Sequence, residues 1–132
     1  MKITASAVSL TVEDVEASAA FLTSHFGFRH EMAADGFVSL TREDAGMTVV
    51  FLRRGLSVLP DDQRDDKADG VILAFVVDDL DAELARLTAE GVAITMPLRE
   101  EPWGERAFQV TDPNGILVQL VDWNATHRHV TR

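Results

Sequence analysis

The stretch Gly104-Glu105-Arg106-Ala107-Phe108-Gln109-Val110-Thr111-Asp112-Pro113-Asn114-Gly115-Ile116-Leu117-Val118-Gln119-Leu120-Val121 decides how this chain is read. Residues 105–111 and 116–121 are rich in β-branched and apolar types, the composition of strands. Between them Asp112-Pro113-Asn114-Gly115 puts Pro at the second turn position and Gly at the fourth, the preferences of a type I turn. The spacing therefore predicts a β-hairpin. Side-chain alternation sorts Phe108, Val110, Val118 and Leu120 to one face, and Glu105, Ala107, Gln109, Leu117 and Gln119 to the other.

Upstream of the hairpin, residues 71–77 and 94–97 read as strands, and between them Asp79, Leu80, Leu84, Leu87 and Gly91 mark a capped amphipathic helix and its stop. The same order occurs earlier. Residues 3–12 alternate as a half-buried strand, Asp14 caps a helix carrying Val15, Ala19, Leu22 and Phe26, and Gly27 ends it. Short strands are expected over 28–33, 36–41 and 47–53. Leu10, Val12 and Asp14 correspond to Phe75, Val77 and Asp79, each 65 positions on, while Gly46 corresponds to Gly115 at an offset of 69. The chain is thus a duplication of a βαβββ unit, about 1–54 and 71–123, within one α+β domain spanning 1–132. The acidic stretch 55–70, with Pro60 and no periodicity, is expected as a solvated connector.

One such unit leaves a sheet face uncovered, and two can bury it together. One set of faces, with Val8, Leu10, Val12, Phe51, Phe75, Val77, Phe108, Val110, Val118 and Leu120, is expected to pack on the helices. The other set carries Ala7, Ser9, Phe37, Ser39, Thr48, Val50, Leu52, Ile72, Ala74, Trp103, Glu105, Ala107, Gln109, Leu117 and Gln119. It mixes apolar groups with sparse polar ones, the make-up of a small-molecule pocket.

Length and composition narrow the classes. A chain of 132 residues buries about two thirds of its unfolded surface and needs no staple. The absence of cysteine excludes disulfides, thiolate metal sites and a cysteine nucleophile. No apolar run reaches the length of a membrane span, and the first residues lack a signal-peptide core, so a cytoplasmic protein with no membrane partner is expected. The formal charge of −10, from 22 acidic and 12 basic residues, repels phosphate backbones, so no nucleic-acid partner is expected. A nucleophile elbow and a Gly-rich phosphate loop are both missing.

Ala7-Val8-Ser9-Leu10-Thr11-Val12-Glu13-Asp14, the segment 21–28, Leu73-Ala74-Phe75-Val76-Val77-Asp78-Asp79 and Pro102-Trp103-Gly104-Glu105-Arg106 running into Asp112-Pro113-Asn114-Gly115 resemble the vicinal oxygen chelate superfamily. That group contains glyoxalase I, extradiol dioxygenases, fosfomycin-modifying enzymes and bleomycin-resistance proteins. The resemblance implies two βαβββ modules whose sheets form a cup. In the metalloenzymes of the family, ligands stand on the first and last strands of each module. Those positions fall here on Ala7, Val50, Ile72 and Gln119, and Gln119 alone carries a donor atom. No metal and no cofactor are therefore expected. None of His25, His30, His127 and His129 stands at such a position, and the last two belong to a terminal tail.

The resemblance is closest in character to the bleomycin-resistance and related antibiotic-sequestering members. It implies a protein, not itself catalytic, that holds a flat apolar or cationic small molecule, with two chains paired as a homodimer. The ligand-binding residues expected on that basis are Phe37, Ser39, Val50, Trp103, Glu105, Gln109 and Gln119. Trp103 is either a rim aromatic that stacks on the ligand or a plug at a sheet edge. Glu105 is either an anion for a cationic ligand or an exposed edge carboxylate, and Arg106 is expected to pair locally. The alternative implied by the same family is a lyase or dioxygenase with a non-standard site, in which Glu105 works as an acid or base.

Overall fold

The computed structural model describes residues 1–123, so His127 and His129 lie outside the described residues. The elements run β1 (Ala7–Val12), α1 (Val15–Phe26), β2 (Arg29–Ala34), β3 (Phe37–Thr41), β4 (Thr48–Arg53), α2 (Asp61–Arg64), β5 (Ile72–Val76), α3 (Leu80–Ala89), β6 (Ile94–Glu100), β7 (Arg106–Thr111) and β8 (Leu117–Asp122). This is the α+β architecture of two tandem βαβββ modules. The chain divides into two compact units between Asp69 and Gly70.

Each module is a four-stranded mixed sheet of the same topology. The order is β1-β4-β3-β2 in the first and β5-β8-β7-β6 in the second. In each, the strand before the helix pairs in parallel with the last strand, and the remaining pairings are antiparallel. Both helices start alike. The Asp14 carboxylate accepts from the Ala17 N–H at 3.1 Å, and the Asp79 carboxylate accepts from the Ala82 N–H at 3.1 Å. Each cap satisfies one of the orphan donors of a first helical turn.

In the first module Val15, Ala19, Leu22 and Phe26 of α1 are buried with Leu10, Val12, Val38, Val49 and Phe51 of the sheet. In the second, Leu80 and Leu87 of α3 are buried with Leu73, Phe108, Val110, Val118 and Leu120. Each fully buried Leu, Val or Phe side chain contributes about 1.5–3 kcal/mol, so these two helix-on-sheet layers carry most of the hydrophobic stabilisation. Val8, Phe75 and Val77, expected in the same layers, are half-buried.

The hairpin at the chain's end closes as its sequence specifies. The Gly115 N–H donates to the Asp112 carbonyl at 3.0 Å, and the Asp112 N–H donates to Ile116 O at 2.9 Å. Asp112, only 6% exposed, also accepts from the N–H groups of Asn114 and Ile116 at 2.8 Å each. Gly115 sits at φ 86°, where a side chain would be strained.

The connector carries local structure of its own: it contains α2, the Gly55 N–H donates to Arg64 O at 2.7 Å, and the Arg64 guanidinium donates to Leu59 O at 2.8 Å. The Ala68 N–H then donates to Thr11 O at 2.7 Å, extending the β1 edge. The structure corrects one expectation: the strand expected to end at residue 97 continues, as β6, to Glu100. Pro97 is accommodated there since β6 is an edge strand whose register shifts between Met96 and Arg99. Among the described residues no helix is long and apolar enough to cross a membrane.

Candidate functional site

In the first module the sheet face turned away from α1 is set by register. Ser39 of β3 opposes Val50 of β4 on one side and Met32 of β2 on the other, while Phe37 opposes Leu52 and Ala34. Phe37, Ser39 and Val50, three of the residues singled out by strand parity, come together here. With Ala5, Ser6, Ala7, Glu31, Met32 and Thr48 they line an open concavity of about 310 Å³. Ser39 and Val50 are 5% and 9% exposed, so they form its floor.

Sequence reasoning missed Glu31. Its strand pairs His30 with Leu40 and Met32 with Ser39, so Glu31 is the extra residue of a β-bulge. A bulge breaks the alternation of a strand and aims the inserted side chain where simple parity does not place it. The result is a hydrogen bond of 3.1 Å from Ser39 Oγ to Glu31 Oε1. The polar, exposed character of residues 29–34 was the available signal of an edge strand; the bulge itself has no mark in the sequence.

In the second module the corresponding positions are held by two amides. Gln109 opposes Gln119, and Gln109 Nε2 donates to Gln119 Oε1 at 2.8 Å. Met96 opposes Gln109 as Met32 opposes Ser39, and here too the register shifts just before the methionine. The inserted residue is Thr95, whose Oγ lies 2.8 Å from Thr111 Oγ and donates to Gln109 O at 3.3 Å.

Trp103 and Glu105 do not sit on a strand, as parity had assumed. The Gly104 N–H donates to Glu101 O at 2.9 Å and the Glu101 N–H to Glu105 O at 2.7 Å, so Glu101-Pro102-Trp103-Gly104 is a hairpin turn like that at Asp112. Gly104 takes φ 92°, and Trp103, 60% exposed, stands at the turn's third position. The Glu-Pro-Trp-Gly spacing repeats Asp-Pro-Asn-Gly, a signal from which the turn was legible. Glu105 Oε2 accepts from the Trp123 indole N–H at 2.8 Å. Arg106 pairs locally, at 3.0 Å with Asp81 of α3 and 3.8 Å with Asp122.

The family model of the Glyoxalase/Bleomycin resistance protein/Dioxygenase superfamily matches residues 4–120. The chain belongs to this superfamily. Among solved structures, this member is similar to a lactoylglutathione lyase from Agrobacterium tumefaciens, at 19% identity with TM-score 0.75, covering 92% of this chain and 94% of that one. It is similar to a superfamily member from Sphaerobacter thermophilus, at 25% identity with TM-score 0.71, covering 92% and 98%. It is also similar to TioX from Micromonospora sp. ML1, at 26% identity with TM-score 0.68, covering 91% and 98%. No curated protein matches the chain.

Membership of this superfamily raises the question of a divalent cation. Ala7 and Ile72 stand exposed on β1 and β5, Val50 is on the floor of the first concavity, and Gln119 is engaged by Gln109. Three hydrocarbon side chains and one neutral amide do not make a divalent-cation ligand set. Among the described residues no three His, Asp or Glu side chains converge to hold a metal ion.

Proposed function

We propose that this superfamily member binds and sequesters a small molecule without a metal, taking a flat apolar or cationic ligand of the antibiotic-like kind. One observation carries the reading: the family's ligand positions hold Ala7, Val50 and Ile72, and their fourth, Gln119, is bonded to another side chain. What those substitutions leave in the first module is a concavity of about 310 Å³ floored by Ser39 and Val50 and flanked by Phe37, the size and composition of a small-ligand site. Glu105, the residue a metal-free acid–base mechanism would use, is held by the Trp123 indole.

Two chains pair in this reading, as they do in the sequestering relatives that the sequence resembles, and sedimentation equilibrium at micromolar concentration is expected to report a dimer. The binding itself is tested by thermal unfolding with a panel of intercalator-like, glycopeptide and mitomycin-like compounds. A true ligand at about 100 times its dissociation constant adds about 2.7 kcal/mol to stability. Zinc, nickel, iron or manganese retained stoichiometrically after dialysis would overturn the metal-free reading. Turnover of a methylglyoxal–glutathione adduct or a catechol, abolished by a chelator, would replace it with catalysis.

A further inference from the structure

The concavity of the first module contains one ionisable side chain, Glu31, among residues that otherwise carry hydrocarbon, hydroxyl or thioether groups. Its placement is built into the sheet. The bulge between His30 and Met32 inserts Glu31 beside the concavity, and the nearly buried Ser39 hydroxyl, rising from its floor, donates to Oε1. That hydroxyl orients the carboxylate and leaves Oε2 for a ligand. Among the described residues no Lys, Arg or His takes up the charge, and Ser39 is the polar partner it has.

Resting on the binding reading above, we infer that this site selects a cation: a ligand with a protonated amine or amidinium attached to a flat hydrocarbon body. The body lies against Phe37 and Val50, and the charged nitrogen donates to Glu31. The formal charge of −10 on the chain favours the same sign of ligand at long range. Glu105, the other acidic residue considered for this purpose, stands beside the turn at Trp103 in the second module and does not line the concavity, so the anion of this site is Glu31.

A matched pair of probes tests this. Benzamidine is a flat cation and benzamide its neutral isostere; each is titrated into the ¹⁵N-labelled full chain at neutral pH and followed at Phe37, Ser39 and Val50. Benzamidine is expected to bind about fivefold more tightly, the size of a partly exposed ion pair, and added salt is expected to narrow the gap. Glu31→Gln, on an exposed edge strand where folding is spared, is expected to remove the preference, so that the two probes bind the variant alike. Glu43→Gln, an equal change of net charge outside the concavity, is expected to keep the preference. Equal binding of both probes overturns the cation inference while the binding reading stands, and so does a preference that survives Glu31→Gln. If neither probe perturbs those three residues, the binding reading itself fails and this inference fails with it.

Discussion

The two modules share topology, helix caps and even the position of a β-bulge, yet differ where the sheets present their open faces. At equivalent cross-strand positions the first module has Ser39 opposite Val50 and the second has Gln109 opposite Gln119. The first pair is short and nearly buried on the floor of a concavity; the second is two longer, half-buried amides bonded to each other. A scaffold made twice by the same register thus carries one row of short side chains without a mutual hydrogen bond and one row of long side chains joined by one. The duplication fixes the frame, and the residues at a single row of each sheet decide what that frame can hold.

The shared frame is best broken at its cores. Phe51 of β4 and Phe108 of β7 are the large fully buried residues of their sheets, at 1% and 0% exposure. They are not equivalent: Phe51 opposes Val38, while Phe108 opposes Leu120. Each module thus places one phenyl ring in the same cross-strand row but on a different strand. Phe108→Ala and Phe51→Ala are each expected to cost about 3–5 kcal/mol in urea unfolding, since neither site can collapse without moving both strands. A loss below about 1 kcal/mol at either would show that its helix-on-sheet layer is not the packed core described.

The terminal hairpins differ more. Asp112 is nearly buried and accepts two backbone N–H groups as well as closing its turn, whereas the corresponding connection of the first module has the Ala45 N–H donating to Arg42 O at 3.1 Å, with Asp44 inside that turn and its exposed carboxylate turned to the Arg42 guanidinium. Asp112→Ala leaves two donors without their acceptor and is expected to cost about 1–3 kcal/mol, measured by chemical denaturation. Asp112→Asn, which keeps an acceptor oxygen, is expected to lose less.

What could be read from the sequence follows the same division. Alternation and turn chemistry act locally, so the hairpin at Asp112, both caps and the duplication were legible, and the expected helix-facing residues are buried except for Val8, Phe75 and Val77, which are half-buried. Bulges and edge accommodation depend on the partner strand. Glu31, Thr95 and the extension of β6 through Pro97 were therefore not legible. Trp103 and Glu105 fell between the cases: the Glu-Pro-Trp-Gly turn was written plainly, but parity was carried past the strand's true start at Arg106. Of the expected site residues, Phe37, Ser39 and Val50 line one concavity and Gln109 and Gln119 meet each other.

The contrast between the two rows is sharpened by a double-mutant cycle on Gln109 and Gln119. Each single Leu substitution strands one half-buried amide, while the double substitution removes both, so the coupling is expected at about 0.5–1.5 kcal/mol. The same cycle on Ser39 and Val50, which share no hydrogen bond, is expected to give coupling near zero. Equal coupling in the two rows would erase the distinction drawn between a bonded row and an unbonded one.

The smallest effect concerns acid. Asp35 and Asp44 lie in the first module, where hydrogen bonds and charge from Arg53 and Arg42 hold their carboxyls below the usual range. A depressed folded value means stability that is fully present above the carboxylate's ordinary titration and lost as pH falls through the folded value. Unfolding midpoints followed from about pH 5 to pH 2 are therefore expected to fall in the wild type with a contribution from each pair. Asp35→Asn removes one of them, so wild type and variant are expected to converge toward the acid end and differ most above pH 4. Both pairs are exposed, which keeps the effect slight and makes it fade with added salt. Divergence toward low pH would mean that Arg53 does not favour the charged form of Asp35, and the ion pair between β4 and the β2–β3 turn would have to be discarded.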